Sequence, residues 1–148
     1  MNKVTPFLMF NNNLDAALAL YTSVFPDTKV LSRSGQSAEF TVGGQRFMAF
    51  DGGPHFKFSD GFSVFVSCED QQEVDKYWNA LLTAGSTPTM CGWINDPFGL
   101  AWQIVPKRLM ELMADKDPKR AKAVVQAMLK MQKLDVAGLE QAHREARA

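Results

Sequence analysis

The sequence lacks several features by which whole classes of protein are recognised. It has only two cysteines among 148 residues, Cys68 and Cys91, and no Cys-x-x-Cys or Cys/His ligand spacing, which argues against a disulfide framework or a structural zinc site. Its 16 basic and 16 acidic side chains leave no positive excess for nucleic acid or an anionic membrane. No apolar run approaches the ~20 residues of a membrane span, and the N-terminus has no signal-peptide hydrophobic region. We therefore expect a cytoplasmic protein with free thiols and with no nucleic-acid or membrane partner.

Histidine is also scarce, and no cofactor motif is present. His55 lies in a segment rich in glycine and aspartate, where it is either a general acid/base or a solvated loop residue. His143 lies in a charged C-terminal segment and is expected at the surface. A methyltransferase that uses S-adenosylmethionine normally has a glycine-rich turn between a strand and a helix. Gly52-Gly53 does not precede a predicted helix and Gly43-Gly44 predicts a hairpin turn, so we expect no cofactor.

The pattern that is present predicts one strand, one helix and three strands, twice over. The first copy has a strand at 4–10, a helix at 14–25, and strands at about 28–34, 37–42 and 46–50. The second has a strand at 62–68, a helix at 71–84, and strands at about 86–94 and 100–105. Helices are predicted at 107–114, 118–133 and 136–148.

Matching positions support this internal repeat. In each copy an N-cap residue, Asn13 or Asp70, precedes the helix. An aromatic residue lies eight positions after this N-cap residue in both copies. The last strand of each copy follows a turn glycine, Gly44 or Gly99. The predicted division of the chain is module one at 1–50, a linker at 51–61, module two at 62–106 and a helical extension at 107–148.

The stretch Cys91–Pro106 predicts two short strands around a turn at Asn95–Gly99. Gln103 is the one polar residue of its second strand. Its amide is either satisfied by a hydrogen bond at the strand edge or directed into a binding cavity. Trp93 either stacks on a planar ligand or belongs to the core. Cys91 is either a nucleophile or, more simply, a buried free thiol.

Several stretches resemble one family closely. They include Thr5–Phe10, Gly52–Phe58, Cys91–Gly99, Trp102–Pro106 and Met128–Lys133. These residues and the repeat are similar to the vicinal oxygen chelate superfamily, which contains glyoxalase I, bleomycin-resistance proteins and extradiol dioxygenases. The closest resemblance is to its PhnB-like group, often labelled as a 3-demethylubiquinone-9 3-methyltransferase domain.

The resemblance implies an α+β fold in which two βαβββ modules form curved mixed sheets around a cavity, followed by C-terminal helices. It also implies a homodimer. Metal-binding relatives carry four ligands at positions that match Pro6, Met48, Ser63 and Gln103. Proline has no ligand atom, and thioether and hydroxyl groups are poor ligands for the divalent ions of this fold, so we expect no metal.

Side-chain alternation along the strands then predicts which residues face the cavity. The expected set in module two is Ser63, Phe65, Ser67, Gln103 and Val105, with Trp102 and Ile104 under the helices. The expected set in module one is Pro6, Leu8 and Phe10, with Met48 and Phe50. Arg33, Glu39 and Arg46 are interpreted as solvated charges at a sheet edge.

The hypothesis that follows is a metal-free PhnB-like protein that binds a small, partly apolar molecule in the cavity between its modules. The expected ligand-binding residues are Gln103, Ser63, Met48, Phe65, Phe10 and Trp93. Two alternatives stay open. One is an enzyme, such as a transferase, that uses Gln103, Ser63 and either His55 or Cys91. The other is an interaction module whose C-terminal helices bind another subunit.

Overall fold

Residues 3–146, described by a computed structural model, fold into two units that repeat the same order of elements. The first unit ends at Ser59 and the second begins at Asp60. The predicted C-terminal helices belong to the second unit. No helix within residues 3–146 is long and apolar enough to cross a membrane.

The helices and strands lie close to their predicted bounds. The first unit contains β1 Phe7–Phe10, α1 Leu14–Val24, β2 Lys29–Ser34, β3 Ser37–Val42 and β4 Gln45–Asp51. The second contains β5 Ser63–Cys68, α2 Gln71–Thr83, β6 Thr87–Pro88, β7 Trp93–Asn95 and β8 Ala101–Pro106. It continues with α3 Lys107–Met113, α4 Pro118–Met128 and α5 Val136–Glu145. Helix α4 ends five residues before the predicted position 133, and residues 147–148 of the last predicted helix lie outside the described residues.

Both sheets are mixed and have the same topology. Their strand orders are β1-β4-β3-β2 and β5-β8-β7-β6. Strand β1 runs parallel to β4, and β5 runs parallel to β8. All other neighbouring strands are antiparallel. The predicted α+β class and the βαβββ repeat are therefore confirmed.

Helix α1 covers one face of the first sheet. The apolar side chains on one side of this helix are buried, including Leu14, Ala17 and Tyr21. The Tyr21 ring stacks on Phe40 of β3 with centroids 6.4 Å apart, which identifies the face of the sheet that lies under the helix. Because strand residues alternate between faces, Ala38, Phe47 and their row neighbours belong to that face as well.

The prediction of which β1 side chains share a face with Met48 is wrong, because the alternation is shifted by one residue. Leu8 and Phe10 are buried, at 3% and 1% exposure, and Leu8 pairs with Ala49 on the helix side of the sheet. Phe7 instead pairs with Met48, and Met9 with Phe50. The residues that share a face with Met48 and Phe50 are thus Phe7 and Met9, because paired residues of neighbouring strands point the same way.

The connection between strand and helix explains this shift. Three residues, Asn11–Asn13, separate β1 from α1, whereas only Glu69 and Asp70 separate β5 from α2. Asn12 has a left-handed backbone, with φ of 58°, and accommodates the extra residue. Counting back an equal distance from Asn13 and Asp70 therefore places Pro6 one residue out of step with Ser63.

Helix α1 also begins differently from α2. Asn13 is its N-cap residue but makes no capping bond, since its side chain accepts from the Asn11 N–H instead. The N–H of Leu14 donates to Asp51 Oδ1, so a carboxylate at the end of β4 takes the capping role.

Helix α2 follows the prediction more closely. The Asp70 side chain accepts from the Glu73 N–H, as an N-cap should. Gly85, with φ of 100°, ends the helix, and the Ser86 N–H donates a hydrogen bond to the Leu81 carbonyl. Val74, Tyr77, Trp78 and Leu81 are buried, whereas Leu82 is 40% exposed.

The predicted strand at 86–94 is divided into β6 and β7 by a turn. Cys91 and Gly92 have φ values of 57° and 84°, which no extended strand allows. Pro88 also lacks the N–H needed to continue a ladder. A one-turn interruption, rather than a continuous strand, therefore precedes Trp93.

The C-terminal helices pack on the second sheet through one apolar cluster. Its buried members are Val105, Leu109, Leu112, Val124, Leu134 and Leu139. Val105 belongs to β8, so this cluster joins the extension directly to the sheet.

Candidate functional site

An amide lies between two aromatic side chains on the second sheet. Gln103 of β8 pairs with Phe65 of β5 on one side and with Trp93 of β7 on the other. Paired residues of neighbouring strands lie on the same face of a sheet. Phe65, Gln103 and Trp93 therefore form a continuous row across three strands, called here the aromatic row.

Ser63 adds a hydroxyl group beside this row. Gln103 Nε2 donates to Ser63 Oγ at 2.9 Å. The predicted placement of both residues on one face, together with Phe65, is thus confirmed. We call this side the Gln103 face; its members are Ser63, Phe65, Ser67, Trp93, Gln103 and Val105.

The aromatic row is less buried than the residues behind it on the opposite face of the sheet. On the opposite face Ile94, Trp102 and Ile104 are each 1% exposed or less, as predicted for Trp102 and Ile104. The Gln103 face carries Phe65 at 49% exposure, while Ser63, Gln103 and Trp93 are half-buried. A polar pair beside accessible aromatic surface is the usual composition of a small-molecule site.

The turn before β8 is organised by Asp96, a role that the sequence did not reveal. Its buried carboxylate accepts from the Phe98 and Leu100 N–H groups, at 2.9 and 3.0 Å, through Oδ1. Its other oxygen accepts from the Trp102 indole at 3.0 Å. The predicted turn at Asn95–Gly99 is therefore confirmed, and one side chain fixes both the turn and the residue preceding Gln103.

The remaining predicted ligand-binding residues belong to the first unit. Met48 and Phe10 lie on opposite faces of its sheet. Phe10 lies on the face covered by α1 and is almost completely buried. Its ring packs edge-on against the Phe58 ring, with the ring centroids 5.5 Å apart. Within the second unit, the structure brings together the predicted residues Ser63, Phe65, Trp93 and Gln103.

The interpretation of Glu39 and Arg46 as edge charges is wrong. They lie on β3 and β4, the two central strands, and on the face opposite α1. Arg46 Nη2 donates to Glu39 Oε2 at 2.6 Å, and the Arg46 side chain is only 16% exposed. Arg33 does lie on the edge strand β2, where it pairs with Asp15.

The histidines and Cys91 lie in different surroundings. His55 is exposed on the linker, in keeping with a solvated residue. His143 was expected at the surface, but its side chain is 19% exposed and Nε2 lies 2.6 Å from Asp115 Oδ2. Cys91 was expected to be buried, yet it is half-buried because it occupies the turn before Trp93.

Cys68 should be inert toward thiol reagents in the folded protein. Burial, and secondarily the negative charge of Glu73, raises the pKa of its thiol to about 12, and its side chain is fully buried. Since the thiolate is the reactive form, a Cys91→Ser variant should show no reaction with an aromatic disulfide reagent at pH ~8 until urea unfolds it. Rapid labelling of the native variant would show that the β5 terminus opens readily.

The residues at the family's metal positions do not fit a divalent ion. Gln103 and Ser63 are bonded to one another, and Met48 offers only a thioether. Within residues 3–146, no three His, Cys, Asp or Glu side chains meet in an arrangement that could hold a metal. The donor set thus gives no basis for a metal-dependent step.

The family described as 3-demethylubiquinone-9 3-methyltransferase matches residues 2–105, more than half of the sequence. The chain belongs to this family. The match ends at β8, so the extension and its stretch Met128–Lys133 lie outside it. A comparison with curated proteins finds no match.

Solved structures agree with this assignment. The PhnB protein from Bacillus cereus is 29% identical, with a TM-score of 0.63 over 71% of this chain and 99% of that chain. A protein from Pseudomonas aeruginosa is 22% identical, with a TM-score of 0.59 over 72% of this chain and 98% of that one. The fosfomycin resistance protein FosX from Listeria monocytogenes shares the fold at 12% identity, with a TM-score of 0.55 over 69% and 89% of the two chains. The fold is therefore that of the PhnB-like and glyoxalase-like proteins.

Proposed function

We propose that the chain binds a small, partly apolar molecule on the Gln103 face of its second unit. The observation that carries this proposal is the Gln103–Ser63 hydrogen bond, 2.9 Å long, beside the half-exposed Phe65 ring. The side chains of this pair are only half-buried, and Phe65 and Ser67 on the same face are exposed, so this part of the face does not pack into the core. The ligand's ring would lie along the aromatic row.

The bonding of the polar pair suggests what the ligand carries. Gln103 donates to Ser63, so its own carbonyl oxygen can accept a further bond and the Ser63 hydroxyl can donate one. Neighbouring strands lie ~4.8 Å apart, so the row from Phe65 to Trp93 spans ~10 Å, about the length of two fused rings. A planar ring with a hydroxyl next to a carbonyl would match both polar groups.

The family description supports the same class of ligand. It names a ubiquinone derivative, whose ring carries several oxygen substituents. Lawsone, a hydroxynaphthoquinone, is therefore a suitable probe at acidic pH, where its hydroxyl, a vinylogous acid, keeps the proton that it would donate to Gln103. Menadione has the same rings with a methyl group in place of the hydroxyl, so it serves as the control ligand.

A Gln103→Leu variant should bind lawsone about fivefold more weakly or worse than the wild type, because one hydrogen bond of ~1 kcal/mol is lost and Ser63 is left with an apolar neighbour. Isothermal titration calorimetry measures the change. Menadione should bind more weakly than lawsone to the wild type and should respond less to the variant.

The same substitution at an exposed strand position, Gln45→Leu in the first unit, is the control and should leave lawsone affinity unchanged. Equal lawsone affinity in wild type and Gln103→Leu would refute the proposed site. Absence of lawsone and menadione binding by the wild type would refute this class of ligand.

Methyl transfer is the second candidate, and it rests on the family description alone. Gly43-Gly44 forms a hairpin turn and Gly52-Gly53 follows a strand without opening a helix, so neither segment supplies the usual S-adenosylmethionine loop. Incubation with S-adenosylmethionine and lawsone, followed by mass spectrometry, tests it. A methylated product that Gln103→Leu no longer forms would favour the enzyme over the binding protein.

A further inference from the structure

The helical extension covers one end of the Gln103 face. Val105 follows Gln103 by two residues on the same strand and therefore lies on the same face, ~7 Å along it. It is only 3% exposed because it belongs to the apolar cluster of the extension. The extension lies beyond the family match at 2–105, yet it reaches the neighbourhood of the aromatic row.

The turn before Trp93 depends on this extension. Cys91 has a left-handed backbone, a conformation that a residue other than glycine keeps only where its surroundings impose it. Its N–H donates to the Met131 carbonyl at 2.8 Å, and the Gly92 N–H donates to the Gln132 carbonyl at 2.7 Å. Both bonds come from the segment that joins α4 to α5 and hold the two residues immediately before Trp93.

Gly92 also lies close to the core of the extension. A Cβ atom at Gly92 would stand 2.8 Å from Leu134 Cδ1 and 3.0 Å from the Ile104 carbonyl oxygen. The Gly92 carbonyl itself accepts from the Ile104 N–H at 2.8 Å. The turn is therefore clamped between the extension on one side and the strand that carries Gln103 on the other.

One side chain ties this segment of the extension to the rest of the unit. Gln71, the first residue of α2, donates from Nε2 to the Leu134 carbonyl at 3.0 Å and accepts at Oε1 from the Val136 N–H at 2.7 Å. The same Nε2 donates to Asp75 Oδ1 at 3.0 Å, and Asp75 forms an ion pair with Lys133 at 2.9 Å. The amide thus replaces two backbone partners that the irregular segment lacks.

We propose that Gln71 is a positioning residue for the binding site, acting through the extension on Trp93. By holding residues 131–136 against the turn, it sets the orientation of Trp93 in the aromatic row and so the fit of a planar ligand. This inference rests on the proposed function for its effect on binding, whereas its effect on Trp93 stands independently.

Fluorotryptophan labelling with fluorine NMR separates these two effects. The tryptophans are Trp78, Trp93 and Trp102, all in the second unit, which gives three resonances. In Gln71→Leu the Trp93 resonance should shift or broaden while the other two stay in place. Lawsone affinity should fall up to about tenfold, because a displaced Trp93 loses its stacking on the ligand ring.

Leu81→Ala is the control for a general loss of stability. Leu81 is fully buried near the other end of α2 and its side chain makes no part of the Gln71 contacts, so this variant should lower the melting temperature without moving the Trp93 resonance. If Gln71→Leu does not fold, Gln71→Glu replaces it. That variant keeps the acceptor for Val136, loses the donor to Leu134 and Asp75 and places a second carboxylate beside Asp75, so it should also shift the Trp93 resonance.

The proposal is overturned if Trp93 is unmoved in the Gln71 variants, or if Leu81→Ala moves it equally. A wild type that binds no lawsone, with a Trp93 shift in Gln71→Leu, would refute the ligand class and leave the positioning role in place. A normal lawsone affinity alongside a shifted Trp93 would refute the role in binding.

Discussion

Replacing Asp96 by alanine should lower the free energy of unfolding by about 3–5 kcal/mol, the largest effect expected of a polar substitution in this chain. The carboxylate accepts three hydrogen bonds, from two backbone N–H groups and the Trp102 indole. Leu100 and Trp102 are each 1% exposed, so water cannot readily replace the lost acceptor. Urea unfolding followed by tryptophan fluorescence measures the change, and because all three tryptophans lie in the second unit the signal reports on that unit.

Two further variants test the reason for this loss. Asp96→Asn keeps one oxygen acceptor in nearly the same shape and should lose less than the alanine variant. Asp60→Ala removes an exposed carboxylate from the same unit and should change stability by no more than about 0.5 kcal/mol. An Asp96→Ala protein as stable as Asp60→Ala would mean that the turn does not rely on its buried carboxylate.

The second unit shows what the local pattern of a sequence can predict. Asp70 caps α2, and β5 ends two residues before the helix, so counting from the cap places Ser63 on the same face as Gln103. Alternation along β8 then puts Trp102 and Ile104 into the core. These predictions needed only the period of a strand and one correctly recognised helix start.

The first unit shows where the same reasoning fails. An extra residue in the connection after β1 reverses which side chains share a face with Met48, because a shift of one residue moves every side chain to the other face. Three successive asparagines suit either a two-residue or a three-residue connection. The local pattern cannot choose between them, and the cap itself comes from Asp51, which is distant in sequence.

Polar contacts between residues far apart in the sequence could not be predicted from the local pattern either. Gln71 bonds to Leu134 and Val136, more than sixty positions away, and a glutamine at the start of a helix carries no sign of such partners. Glu39 and Arg46 looked like solvated charges because their strands could not be assigned to the centre or the edge of a sheet from the sequence. Both cases depend on non-local contacts: the packing of the extension against α2 decides the first, and the order of strands in the sheet decides the second.

The contribution of the extension can be measured with a Leu134→Ala variant, which should lower the free energy of unfolding by about 2–5 kcal/mol. Leu134 is fully buried, belongs to the apolar cluster around Val105, and would leave a cavity against Gly92. Because the cluster joins the extension to β8, the loss should be seen in the tryptophan fluorescence of the whole unit.

Leu129→Ala is the matched control, since it makes the same chemical change in the same extension at a side chain that is 52% exposed. It should alter stability by no more than about 0.5 kcal/mol. If Leu134→Ala were as stable as Leu129→Ala, the extension would be an appendage that contributes little to the sheet. A large loss for Leu134→Ala alone would instead make the extension part of the folding unit, although the family match ends at residue 105. The proposed binding face would then depend on residues outside the family match.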